Sequence, residues 1–152
     1  MSLRLLSISH KTPSWIETGY LTYAKRLHSP YDLSLIEAKP AKLSNKIDRL
    51  KREDQTLLAL IKPNHLVIAM DEHGEQWTTQ ELAQKLLQWL SKSSSIDFLI
   101  GGADGLGDAS KARANHIWSL SKLTFPHQLV RILIAEQIYR AFSLVSHHPY
   151  HR

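Results

Sequence analysis

Ile96-Asp97-Phe98-Leu99-Ile100-Gly101-Gly102-Ala103-Asp104-Gly105-Leu106-Gly107 carries an apolar run straight into a glycine-rich turn. A short apolar run bounded by breakers predicts a buried strand over Ile96 to Ile100. The glycines let the chain turn tightly and leave room for another group to approach the backbone. Helical spacing resumes at Asp108 and predicts a short helix to about Ala114. Strand, glycine turn and helix make one step of an alternating α/β pattern.

The same alternation extends outward in both directions. Leu3 to Ile8 reads as a strand, and Pro13 to about His28 as a helix whose apolar positions include Trp15, Ile16, Tyr20 and Leu27. Thr12 before Pro13 is the expected N-cap. Tyr31 to Ala38 is a second strand candidate. Ser44 to Ile61 is helical, with Ile47, Leu50, Leu57, Leu58 and Ile61 expected inside. His65 to Met70 is a continuous apolar run, hence a buried strand, and Asp71-Glu72-His73-Gly74 reads as a turn. Thr79 is the expected cap of a helix from Gln80 to Ser91, with Leu82, Leu86, Trp89 and Leu90 on one side. Ile117 to Leu120 is a short strand, and Pro126 opens a last helix that runs to about Val145.

This order predicts one domain over residues 1–152 with a mainly parallel sheet and helices on both faces. Ligands of such sheets sit outside the carboxyl ends of the strands. Three segments fall at such ends: Met70-Asp71, Gly101-Gly102, and Ser121-Lys122-Leu123-Thr124-Phe125-Pro126. Together they predict a pocket.

Composition bounds the function. The chain has 152 residues, 43% of them hydrophobic, which suits one domain with a real core. It has no cysteine, which excludes disulfides and thiolate chemistry. The N-terminal apolar run is too short for a signal peptide and no run approaches a membrane span, so a soluble cytoplasmic protein is expected. The formal charge is +5. Lys39, Lys42, Lys46, Arg49, Lys51 and Arg52 crowd one stretch, which favours a polyanionic partner over a merely solvated face.

The last helix is apolar on most sides, with a polar stripe through Glu136, Arg140 and Ser143. Such a helix must be covered on most sides, either by its own chain or by a partner subunit. The chain closes on His147-His148-Pro149-Tyr150-His151-Arg152. Pro149 breaks helical register and no carboxylate or cysteine lies nearby, so a metal site is not expected. Imidazoles, a phenol and a guanidinium suit contact with phosphate and stacking on an unpaired base, so the terminus is expected to be used. The four tryptophans, Trp15, Trp77, Trp89 and Trp118, are expected in or near the core. The glycine turn departs from the dinucleotide fingerprint, and Asp108 stands where a P-loop would place lysine. No GxSxG elbow is present.

Several motifs, taken in order, resemble one family. They are Leu99-Ile100-Gly101-Gly102-x-x-Gly105-Leu106, Trp118-Ser119-Leu120-Ser121-x-Leu123-Thr124-x-Pro126-His127, Leu129-Val130-Arg131, Glu136-Gln137-Ile138-Tyr139-Arg140-Ala141 and the closing His148-Pro149-Tyr150-His151-Arg152. With Pro13, Trp15 and Thr18-Gly19 near the start, they resemble the RlmH family. Its members are bacterial SPOUT-superfamily methyltransferases acting on a pseudouridine of large-subunit ribosomal RNA. Two departures are Ala103-Asp104, where the family usually has Pro-Glu, and Met70, where it usually has Leu.

The resemblance implies a C-terminal trefoil knot, a homodimer, and S-adenosyl-L-methionine held by the knot loops. Carried over by position, it places the cofactor at Met70, Asp71, Gly101, Gly102 and Ser121 through Pro126. The implied reaction moves a methyl group to N3 of a pseudouridine in 23S ribosomal RNA, within the assembled ribosome. N3 is mostly protonated at neutral pH, so a base or relay is needed. His127, His148, Tyr150 and His151 are candidates by chemistry, and the sequence does not choose among them. Arg152 suits a phosphate or the oxygen that gains charge on deprotonation. No metal is needed, because the methyl donor is already activated. The alternatives are a non-enzymatic RNA-binding protein and a related enzyme acting on transfer RNA.

Overall fold

The computed structural model describes residues 2–93, 95–148 and 150. Five strands and five helices alternate: β1 (Ser2–Ile8), α1 (Ser14–Ala24), β2 (Leu33–Ala38), α2 (Lys46–Leu58), β3 (Leu66–Glu75), α3 (Thr79–Leu90), β4 (Ser95–Ile100), α4 (Asp108–Arg113), β5 (His116–Trp118) and α5 (His127–Val145). All strand pairs are parallel, in the order β2-β1-β4-β3-β5. Every strand therefore points its carboxyl end at the same sheet edge.

The core forms on both faces of this sheet. One cluster joins Leu3, Leu5, Phe98 and Trp118 to helices α1, α3 and α5. The other joins Leu6, Ile8, Val67 and Leu99 to Leu57 of α2 and to Leu106. Every residue of β4 is buried, as its apolar run requires. Asp97 is the exception in type. Burial pushes its carboxyl up, but hydrogen bonds from Arg4, His65 and Ser95 outweigh that and hold it below the usual range. Arg4 grips it with Nε and Nη2, each at 2.7 Å.

Several local expectations change. Thr12 does not cap α1; Pro13 holds the cap position without a side-chain bond. The Thr12 hydroxyl instead donates to Glu37 at 2.7 Å. Thr78, not Thr79, caps α3, accepting from the Glu81 N–H at 3.1 Å. In α2 the buried face is Glu53, Asp54 and Leu57, while Ile47 is 64% exposed. Asp54 is buried because it accepts from the N–H groups of Gly107 and Ala109 at the start of α4. Residues 71–74 are not a terminal turn. They loop out of the ladder, and β3 rejoins it, so that Met70 and Glu75 both face Trp118.

Trp118 and Trp89 are core residues and Trp77 stacks on Trp118 at 5.1 Å, but Trp15 is 63% exposed. In α5, Ser143 leaves the expected polar stripe: it is buried and donates to the Arg140 carbonyl. Glu136 and Arg140 pair as their spacing predicts, at 2.7 Å.

Candidate functional site

The carboxyl ends of β3, β4 and β5 open into one cavity of about 660 Å³. The glycine turn forms one wall. Gly102 and Gly105 bridge across it, with the Gly105 N–H donating to the Gly102 carbonyl at 3.0 Å. Gly105 has φ of +78°, a left-handed conformation that favours glycine. A side chain at Gly101 would run into the Gly105 backbone. Only glycine lets these two strands of the turn lie that close.

The second wall is the segment after β5. Ser119 donates to the Ser121 carbonyl at 2.7 Å, and the Leu123 N–H donates to the Ser121 hydroxyl at 3.0 Å. Thr124 donates to the Glu72 carboxylate, which ties this segment to the excursion of β3. The excursion is therefore a third wall rather than a simple turn.

A residue in α2 fixes the glycine turn from behind. Arg49 donates through Nε and Nη2 to Asp104 at 3.1 and 2.8 Å. Its Nη1 donates to the carbonyls of Leu43 and Ser44 at 3.0 and 3.1 Å. The sequence shows Arg49 only as one more cation in a basic stretch; its spacing carries no sign of this task.

Nearly all the residues expected at the pocket meet there. Met70, Asp71, Gly101, Gly102, Ser121, Leu123, Thr124, Phe125 and Pro126 line it, and Lys122 does not. Lys46, Glu72, Asp104, Leu120 and Val130 line it as well. Glu72 was hidden in a stretch that reads as a turn, and Lys46 in the basic run. A cofactor with a sulfonium, an amino-acid end and a flat base fits this lining. Carboxylates of Asp71, Glu72 and Asp104 suit its cationic groups, Lys46 suits its carboxylate, and Leu120, Phe125 and Val130 suit an apolar ring face.

The titratable candidates separate. His127 lines the cavity at the first position of α5. Burial pushes its imidazole below the usual range, and the charges of Arg131 and His10 add to that. His148 and Tyr150 lie past the other end of α5, a helix about 28 Å long at 1.5 Å per residue. The Tyr150 side chain folds back along the helix: its hydroxyl donates to Glu136, midway along α5, at 3.1 Å, and its ring lies 4.6 Å from that of Tyr139. Burial, then the Glu136 carboxylate and Tyr23, push the Tyr150 phenol up to about 12. His151 and Arg152 lie outside the described residues. Among the described residues no three His, Asp or Glu side chains gather as metal ligands would.

A parallel sheet whose glycine turn and Ser-Thr-Pro segment close on one cavity is now matched by sequence comparison. The family described as "Predicted SPOUT methyltransferase" matches residues 1–151. The chain belongs to the SPOUT methyltransferase family. Among its curated relatives is the ribosomal RNA large subunit methyltransferase H of Methylococcus capsulatus, 44% identical over 155 residues and all of both chains. The protein of the same name from Nitrosococcus oceani is 44% identical over all of this chain and 99% of its own. That from Cupriavidus metallidurans is 42% identical over 158 residues, with the same coverage. SPOUT membership implies that the C-terminal loops bounding the cavity are tied in a trefoil knot, and that the methyl donor is S-adenosyl-L-methionine.

Proposed function

We propose that this SPOUT protein methylates N3 of a pseudouridine in bacterial 23S ribosomal RNA, using the cavity at the ends of β3, β4 and β5. The observation that carries the reading is the convergence of Met70, the Gly101-Gly102 turn and the Ser121–Pro126 segment on that cavity. S-adenosyl-L-methionine, when bound, supplies a methyl group already activated on a sulfonium. The protein's part is to orient donor and acceptor and to exclude water. Gly101, Gly102, Ser121 and Leu123 through Pro126 bind the donor, and the Arg49–Asp104 pair keeps the glycine turn in place.

The proton on N3 must leave before or during transfer. His127 suits this step, because its lowered pKa keeps it neutral at neutral pH and able to accept a proton. The closing residues complete the site. Within one chain the Tyr150 hydroxyl rests on Glu136, midway along α5 and about 14 Å of helix from His127. A homodimer resolves that distance, with the tail of each copy serving the other's cavity. Tyr150 and His148 then face the base; His151 remains a further candidate for the proton, and Arg152 suits the phosphate or the charged oxygen. Such an enzyme works where ribosomes are, in the cytoplasm.

The test is transfer of a labelled methyl group from S-adenosylmethionine to ribosomes, free ribosomal RNA and free transfer RNA. Ribosomes are expected to take the label, and nuclease digestion with mass spectrometry is expected to find it on a pseudouridine. Label confined to transfer RNA, or no transfer by protein that binds the cofactor, overturns the reading.

A further inference from the structure

Arg131, on α5, is fully buried. Its Nη1 donates to Thr12 at 3.0 Å and lies 3.3 Å from the Glu37 carboxylate, and its Nη2 donates to Ser9 at 3.0 Å. The Ser9 and Thr12 hydroxyls in turn donate to Glu37 at 2.9 and 2.7 Å. The guanidinium therefore closes one network on the carboxyl ends of β1 and β2. Its Nε has no partner among the described residues, so the burial gives up a hydrogen bond. Burying a permanent cation is costly, and an apolar side chain of similar size would fill the space for less. What only the arginine supplies is a fixed fork and a fixed charge.

Fork and charge both act at the edge of the cofactor cavity. Side chains on a helix lean toward its N-terminus, and residues four apart share a face. Arg131 thus sits under the turn that His127 begins. Its network holds that turn on β1, whose Ser7 pairs with Ile100 at the head of the glycine turn. The influences on the His127 imidazole are burial and charge, with no hydrogen bond among them, so its helix sets its place. The free N–H groups at the start of α5 also disfavour an imidazolium there. The charged groups facing His127 are Arg131 from its own helix, His10 after β1, and Glu53 of α2, which alone pulls the other way. Glu53 already accepts from the Ala41 N–H at 3.0 Å. Lys46, Asp71, Glu72, His73 and Asp104 line the rest of the cavity.

We propose that Arg131 is the positioning residue of His127: its buried fork seats the first turn of α5 on the ends of β1 and β2, and sets a permanent cation one turn behind the imidazole. The inference rests on the reading of His127 as the group that takes the N3 proton. Arg131 does not line the cofactor cavity, so it acts through His127. The glycine turn has its own brace in Arg49, so the loss of Arg131 falls on His127 rather than on the cofactor.

Two variants of the full chain separate fork from charge. Arg131→Lys keeps a cation and loses the fork, and Arg131→Met loses both. Neither strands Glu37, which keeps its two hydroxyl donors. Methyl transfer to ribosomes gives kcat and KM. NMR of histidine-labelled protein gives the His127 titration, its signal identified among the nine histidines by its loss in His127→Gln. Arg131→Met is expected to lower kcat about tenfold, with KM for ribosomes and Kd for S-adenosylmethionine within about twofold of wild type. Its His127 signal should titrate at higher pH than in wild type, and the acid limb of its kcat profile should move up with it. Arg131→Lys should keep the wild-type titration while kcat falls about threefold. A wild-type His127 titration in Arg131→Met overturns the proposal. So does a fall in kcat that only follows the unfolded fraction in thermal melts. Should Arg131→Met not fold, Arg131→Lys decides, and an unchanged kcat in it overturns the role of the fork. The two readings also fail separately. A raised His127 titration in Arg131→Met, with normal methyl transfer by His127→Gln, keeps the hold of Arg131 on His127 and removes His127 as the base. Wild-type protein that methylates no RNA removes the reaction, while the titration still reads Arg131 against His127.

Discussion

Arg49 shows how one side chain can govern a loop from a different element. Its four hydrogen bonds join the Leu43-Ser44 backbone to Asp104, so the glycine turn is braced by α2. Both partners are about a quarter exposed, so the pair itself adds little stability, on the order of 1 kcal/mol or less. Its value lies in preorganisation. Arg49→Ala is expected to raise the Kd for S-adenosylmethionine roughly tenfold, the equivalent of about 1.4 kcal/mol, with a nearly unchanged melting temperature. Calorimetry beside thermal melts checks this, and equal affinity in the variant would end the bracing role. The glycines divide in the same way. A side chain at Gly102 would meet Ile8 at 3.2 Å and Glu53 at 3.5 Å, so Gly102→Val disturbs the packing behind the turn rather than simply filling cofactor space. Gly105 has open space around it but a positive φ. Gly105→Ala should therefore cost about 1–2 kcal/mol through backbone strain alone, a fall of roughly 2–8 °C in Tm by calorimetry.

Helix α5 is where element-level reading matters. Ile134, Ala135, Ile138 and Ala141 are fully buried within the chain itself. Ile138 is thus a core residue, and Ile138→Ala should cost about 2–5 kcal/mol in denaturant unfolding whether or not a partner is present. Leu129 and Leu133 are different. They lie one turn apart, are only half-buried, and stand outside the two core clusters. They are the apolar surface that the proposed dimer would cover. Leu133→Asp is expected to turn a dimer into a monomer in sedimentation while the circular dichroism of the monomer stays folded; an unaltered dimer would place the interface elsewhere. The tail belongs at this scale too. Removing residues 150–152 takes Tyr150 off Glu136, Tyr139 and Arg140, which lie along the middle of one helix. It should abolish methyl transfer while S-adenosylmethionine binding persists. Near-normal turnover would leave the tail without a catalytic part.

For the whole molecule the informative variable is pH. Burial holds His116 and His127 below the usual histidine range, Lys85 adding to the first and Arg131 and His10 to the second. The unfolded chain takes up these protons near pH 6.5, while the folded chain resists them. As pH falls through about 6.5 the unfolded state binds more protons, and stability falls. Asp97 acts lower down. Its depressed pKa contributes stability that is present above about pH 3.9 and is lost as pH falls through the folded value. The melting temperature should therefore be flat from about pH 7 to 9, decline below about 6.5, and decline again in the acid range. His127→Gln should shrink the upper step and spare the lower. A melting temperature that rises between pH 7 and 5.5 contradicts this assignment.

The strands, the helices and the pocket at the carboxyl edge are readable along the chain because their signals are local. Ile96 to Ile100 is apolar, the turn after it is glycine, and Pro126 opens α5; each needs only its neighbours. The sheet order β2-β1-β4-β3-β5 is set by which apolar faces pack together, which no window of sequence contains. The same holds for the buried polar groups. Asp54 is inside because Gly107 and Ala109 stand 53 and 55 positions away to receive it, and Arg131 because Ser9 waits 122 positions back. Residues 71–74 read as a chain reversal, yet β5 lies alongside and takes the strand back. The tail and His127 look like partners in one list of catalytic residue types. In the folded molecule the Tyr150 hydroxyl is held on Glu136, midway along α5, and no window of sequence contains that contact.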